Sequence, residues 1–377
     1  MYILFLLTNV HAYAGNKYIS EATGNDKNPG TKLLPWKTIA KVSASVFKPG
    51  DSVLFNRGEV FYGKLIINNS GTSANPIYIG AYGNGAMPVI TGFTTVTNWE
   101  KSGNNIWESS SSVSTLPTLN LVMINEKNIA GGRFPNTGYL TFQSHNDKAS
   151  ITSNALSGAS DWRGADVIIR TAHYLIAKGN IIRQVSGTLY YSGGYSEPTD
   201  NWGFFIQNDV KTLDAQNEWY YNPSTNKIKI YSKGLPGNIQ VASVDNLIYD
   251  YGKDYIKVEN IELKGANSSG MIFTSANHIT IINCNISFCG VDGIRADGTS
   301  SYMDVENSKV SDCNNSGIAS YGLTQPGFII KNNIVKRTGL NTNAIQSNSN
   351  SYGAINCPGS NALIQYNIVD SSGYTGI

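Results

Sequence analysis

The densest cluster of chemistry-bearing side chains in the regular part of this chain is Asp292, Arg295 and Asp297. An arginine fork can pair with a ligand carboxylate or hydroxyl. A carboxylate on either side of it, Asp292 or Asp297, can act as acid, base or cation ligand. The same three residues can equally salt-bridge to one another and pin two turns. A second group lies in the polar stretch from Gly339 to Tyr352. Asn341, Asn343, Gln346, Asn348 and Tyr352 match the hydroxyls of a sugar and are expected to bind substrate. An inert, solvated loop has the same composition.

Other chemistry is not written here. No Gly-x-Ser-x-Gly elbow and no CxxC pair occur, and His145, His173 and His278 are scattered. No metal site is therefore expected. No run of acidic residues offers a calcium cage, so no cofactor is expected.

The elements that would position these residues are set by a repeat. Five segments share an apolar residue, a corner and a further apolar pair: Val258–Leu263, Ile281–Ile286, Val305–Val310, Ile330–Val335 and Ile364–Val369. Asn holds the corner in four of them (Asn260, Asn283, Asn307, Asn332) and Tyr366 in the last. Each is followed by a glycine that opens a short apolar strand: Gly270, Gly293, Gly317, Gly353 and Gly376. The spacing is roughly 23 residues, stretched once, by about a dozen, in the segment that ends at Tyr352. Such a period with short β-type runs describes a solenoid of three-strand coils. Successive coils should sit about 4.8 Å apart. Asn suits the corner because it tolerates the left-handed conformation and its amide can bond to the coil above. In the third coil, alternation points Ile294 and Ile318 inward and Arg295 and Ala319 outward, so Arg295 should stand on the face of a strand ladder.

This pattern over residues 255–377 resembles the right-handed parallel β-helix of the pectin-lyase-like superfamily. So does the opening, through Tyr18-Ile19-Ser20, Gly24-Asn25-Asp26, Asn28-Pro29-Gly30-Thr31, Pro35-Trp36-Lys37-Thr38-Ile39 and Lys48-Pro49-Gly50-Asp51. The resemblance implies an all-β fold and a polysaccharide or oligosaccharide partner lying along an exposed ladder. It does not choose a reaction, because hydrolases, lyases and non-catalytic proteins share the architecture. Three readings follow: a polysaccharide-degrading glycoside hydrolase, a lyase on an acidic glycan (the one reading that reserves a calcium ion), and a glycan-binding or adhesin-like solenoid. The paired Asp-Asp motif of polygalacturonases is not seen.

Four regions are expected. Residues 1–14, with the apolar run Tyr2–Leu7 and Ala12-Tyr13-Ala14, read as a secretory signal and so predict a secreted protein. Residues 15–94 hold an N-terminal cap and the first coils, with a capping helix over 36–47 on Ile39, Val42 and Val46. Strands are predicted at about 52–56, 60–67, 76–82 and 88–91. Residues 95–240 carry five of the 6 tryptophans and read as an inserted antiparallel β domain. Within it, Glu218–Pro223 followed by Lys227–Tyr231, and Gly132–Asn136, resemble a signature of β-helix glycosidase-like proteins that carry such an insert. Residues 241–377 form the remaining coils. They end on a strand with no polar cap, which reads as a fragment lacking its C-terminal coils.

Net charge is +2 with 14% charged residues, too near neutral for a nucleic-acid partner. No run is long enough to span a membrane, and a monomer is expected. Among the 4 cysteines, Cys289 and Cys313 fall at equivalent positions of adjacent coils. They are within reach of a disulfide and equally suited to a buried stack of free thiols.

Overall fold

The computed structural model describes residues 15–158, 160–172, 175–193, 196–322, 325–341 and 352–377. The proposed signal segment lies outside them, as do Asn343, Gln346 and Asn348.

The repeat winds into three parallel sheets. Sheet 1 has eight strands, including Ile256–Glu259, Asn277–Ile282, Ser301–Glu306 and Ile329–Lys331. The chain then turns the Asn corner into sheet 2, seven strands that include Glu262–Ala266, Asn285–Cys289 and Lys309–Cys313. A longer turn leads to sheet 3, six strands including Ile248–Tyr251, Met271–Thr274, Ile294–Asp297 and Ile318–Ser320. Inside, equivalent residues of successive coils stack in register. Ile79, Val258, Ile281, Val305 and Ile330 form one column in sheet 1. Ile248, Met271, Ile294 and Ile318 form another in sheet 3. All are at most 2% exposed, and each such side chain contributes about 1.5–3 kcal/mol on burial.

The corner works as the sequence suggests. Asn260, Asn283, Asn307, Asn332 and Tyr366 all have φ between 50° and 61°. One residue later an inward polar ladder replaces the apolar core. Asn367 accepts from the Asn333 backbone N–H at 2.9 Å, and Asn333 accepts from the Ser308 N–H at 2.9 Å. Ser308 accepts from the Cys284 N–H at 3.1 Å.

The glycines before sheet 3 are required by close approach. A Cβ on Gly293 would lie 2.3 Å from Val310 Cγ1 and 2.6 Å from the Gly317 carbonyl oxygen. Gly270 and Gly317 face the equivalent walls one coil away.

Two expectations need correction at the N-terminal end. The capping helix covers only Ile39–Ser43, N-capped by Thr38. Val46 is 81% exposed, because Phe47 is drawn onto the solenoid core and Ser45 bonds back to the Lys41 carbonyl at 2.7 Å. The predicted strand 60–67 is two strands, Val60–Tyr62 and Leu65–Ile67, that belong to different sheets. Gly63, at φ 131°, makes the bend between them.

An inserted antiparallel unit interrupts the turn from sheet 2 to sheet 3. Its first strand Phe93–Val96 pairs with its last, Ile239–Ala242. The strand Ile239–Ala242, which crosses the expected boundary at 240, thus closes the insert, and the coils resume at Ile248. The insert holds two four-stranded sheets and one of eight strands. It is fastened to the coils by an amide zipper. Asn120 donates its backbone N–H to Asn267 Oδ1 at 2.7 Å, Asn314 donates to the Asn120 carbonyl at 2.9 Å, and Asn128 donates to Asn314 Oδ1 at 2.7 Å.

Candidate functional site

Sheet 3 presents its outward side chains in two rows. Arg295 pairs in register with Ile272 and Ala319, and Asp297 with Thr274. Alternation brought Arg295 to the outer face, where its side chain is 28% exposed. Ala319, also outward, is only 3% exposed.

The structure joins the three residues of the charge cluster in one network. Arg295 Nε donates to Asp297 Oδ2 at 2.9 Å, and its Nη1 lies 3.5 Å from Asp292 Oδ2. Asp292 is fully buried in the turn before the strand. Its carboxylate also accepts from Asn315 Nδ2 at 2.8 Å, the Ser316 backbone N–H at 3.0 Å and the Tyr321 hydroxyl at 3.0 Å. Asp297 keeps a side chain 23% exposed. Burial raises the Asp292 pKa, opposed by Arg295 and these donors. Burial alone would lower the Arg295 pKa, but the bonds to Asp297 and Asp292 hold it above its ordinary range.

Sequence reasoning missed Tyr321. Its ring covers the Arg295 guanidinium at 4.5 Å from the centroid, and burial beside Asp292 drives its hydroxyl pKa upward. The signal was its place one coil above Asp297, which register arithmetic could have found. Asn315 was missed for the same reason.

The loop residues separate. Tyr352, expected to face substrate, is 4% exposed and packs in one apolar cluster with Ile168, Ile176 and Phe205 of the insert. Its ring is a weld between loop and insert, because an aromatic side chain buries more area there than a surface loop would allow. Asn341 is half-buried in another cleft. There it lies near Asp312 and Arg337, which form a two-pronged ion pair at 2.7 and 2.6 Å, and near Glu126 and Lys127 of the insert.

A further cleft, of about 80 Å³, lies inside the insert, lined in part by Asp166, Lys178, Gln207, Trp219 and Tyr220. Cys289 and Cys313 are register partners and both carry free thiols, as do Cys284 and Cys357. Among the described residues no group of three or more His, Cys, Asp or Glu side chains is placed to hold a metal ion, and no helix is long and apolar enough to cross a membrane.

Comparison with known proteins bears on the fold. The family described as right handed beta helix region matches residues 243–357. A solved glycoside hydrolase superposes with a TM-score of 0.68 at 16% identity, over 86% of this chain and 74% of that one. A lacto-N-biosidase from Eubacterium ramulus gives 0.40 at 18% identity, over 85% of this chain and 41% of that one. A pectate lyase gives 0.42 at 12% identity, over 97% and 66%. No curated protein matches the chain. At these identities the likeness establishes the solenoid and leaves the reaction open.

Proposed function

We propose that this right-handed parallel β-helix, which displays its outward side chains in rows along stacked coils, uses sheet 3 to bind and cleave a glycan. The reading is of a secreted, monomeric, polysaccharide-degrading glycoside hydrolase. The observation that carries it is the pairing of a buried carboxylate, Asp292, with a partly exposed one, Asp297, across Arg295 and beneath Tyr321. Asp297 is the group that would touch substrate. Asp292 and Tyr321 act as positioning residues for Arg295. The solved glycoside hydrolase of similar fold supports this class.

Arg295 is already engaged by two carboxylates, which argues against its capturing a uronate, as the lyase reading requires. The glycan-binding reading is favoured by one specific observation: Asp292 has no exposed surface from which to act.

The test is a glycan screen on the secreted protein, with and without calcium, following new reducing ends and the absorbance of unsaturated uronates together. New reducing ends alone, lost in Asp297→Asn, are the expected result. Both signals together would establish a lyase. Retention of glycan without cleavage would leave a binding protein.

A further inference from the structure

The cleft inside the insert plays no part in the proposal above. Its polar wall is one face of the eight-stranded sheet, where Asp166 and Gln207 are register partners and Lys178 lies on the adjoining strand. Its aromatic wall comes from the Glu218–Pro223 stretch singled out in the sequence. Trp219 donates its indole N–H to the Ile129 carbonyl at 2.8 Å, and Tyr221 donates its hydroxyl to the Leu116 carbonyl at 2.8 Å. The walls are therefore held before any ligand arrives, as those of binding clefts usually are.

The polar wall is short of donors. Gln207 is 7% exposed, lines the cleft, and its Oε1 has no hydrogen-bond partner among the described residues. A buried acceptor in that state calls for a donor from outside the protein. Asp166 is 5% exposed, and its contacts are long: 3.4 Å from Lys178 Nζ and 3.3 Å from Asn208 Nδ2, both to Oδ2. Two adjacent acceptors beside aromatic rings suit a ring that carries several hydroxyls and one apolar face. Asp166 and Lys178 offset each other, so the wall offers no surplus positive charge to an acid.

We infer that this cleft is a binding site for one neutral sugar residue, whose hydroxyls donate to Gln207 Oε1 and the Asp166 carboxylate while its apolar face lies against Trp219 or Tyr220. The space inside the cleft is about 80 Å³, so the sugar would rest at its mouth with its hydroxyls reaching in to Gln207 and Asp166. The site is separate from sheet 3 and does not depend on cleavage there.

The experiment is titration calorimetry with saturation-transfer NMR on the whole chain. The probes are methyl glycosides of glucose, galactose, xylose and N-acetylglucosamine, with glucuronate as the acidic counterpart. A neutral glycoside should bind saturably. Gln207→Leu, close in size, should weaken it by about tenfold or more. Arg295→Ala should leave it unchanged. Should Gln207→Leu fail to fold, Tyr220→Ala, at the more exposed ring of the aromatic wall, should also weaken binding. Equal affinity in the wild type and both variants would overturn the inference. So would failure of every neutral glycoside, preference for glucuronate, loss of binding in Arg295→Ala, or soaked crystals with only a water on Gln207.

Discussion

The hydroxyl of Tyr321 lies 3.0 Å from Asp292 Oδ2, while its ring roofs the guanidinium that the same carboxylate holds. One side chain thus seals a buried ion pair and shapes the exposed surface above it.

Under the proposed function, that arrangement should separate stability from turnover. Asp292→Ala leaves Arg295 without its buried partner and should cost about 3–5 kcal/mol in denaturant unfolding. Asp297→Asn changes a partly exposed pair and should cost less than about 1 kcal/mol while abolishing glycan cleavage. Equal losses of stability in the two variants would refute this division.

Asp250 sets a pH dependence. Its side chain points into the core between Ile67 and Phe273, with one bond, from the Lys253 N–H at 3.0 Å. Burial raises its pKa to about 7. The folded state therefore holds a proton that the unfolded chain releases near pH 4, and stability should fall as pH rises from about 4 to about 7, then level off. The integrated effect is of the order of 4 kcal/mol. Asp250→Asn should flatten this slope in urea titrations across pH 4–8; an unchanged slope would reject the assignment.

Gly293→Ala should destabilise by about 1–3 kcal/mol or more, since one contact of the added methyl is the unyielding Gly317 carbonyl. Gly58, with open space around it, serves as a comparison: its φ of 80° penalises alanine through the backbone alone, by about 1 kcal/mol. Thermal unfolding of both variants checks the order.

The two polar ladders at the corner should respond differently. Asn333 is fully buried and satisfies both the Ser308 N–H and the Val305 carbonyl, so Asn333→Ala should cost about 2 kcal/mol or more. Asn307 is exposed and serves mainly its left-handed φ of 52°, so Asn307→Gly should be nearly neutral. Loss of comparable stability in both would show that the corner depends on side-chain bonding throughout.

The coils were legible because their constraints are local and repeat: each corner needs a left-handed residue, and the sheet 3 strands from Met271 onward each follow a glycine. Register then followed by counting, which placed Cys289 opposite Cys313 and Arg295 on an outer face. The insert was visible as a lapse in that count, but its internal pairing was not, because antiparallel strands such as Asp166–Ala172 find partners on both sides by tertiary fit. Tyr352 shows the same limit. Its composition and loop position suggest a surface role, and only the distant apolar face of Ile168, Ile176 and Phe205 explains its burial. The helix was overextended because Val46 fits the helical period, whereas the burial of Phe47 decides where the chain leaves it.

The insert leaves after Gly92 and returns as a strand paired with the one on which it left, Phe93–Val96 beside Ile239–Ala242. Its two ends therefore meet at a single doorway in the turn between sheets 2 and 3. A module exchanged at that doorway would also have to replace the fastenings that Asn120 and Asn128 make to Asn267 and Asn314. The solenoid is in this sense a chassis: a transplanted insert would carry its own pocket to an unaltered ladder, and the specificity of the pair could be recombined.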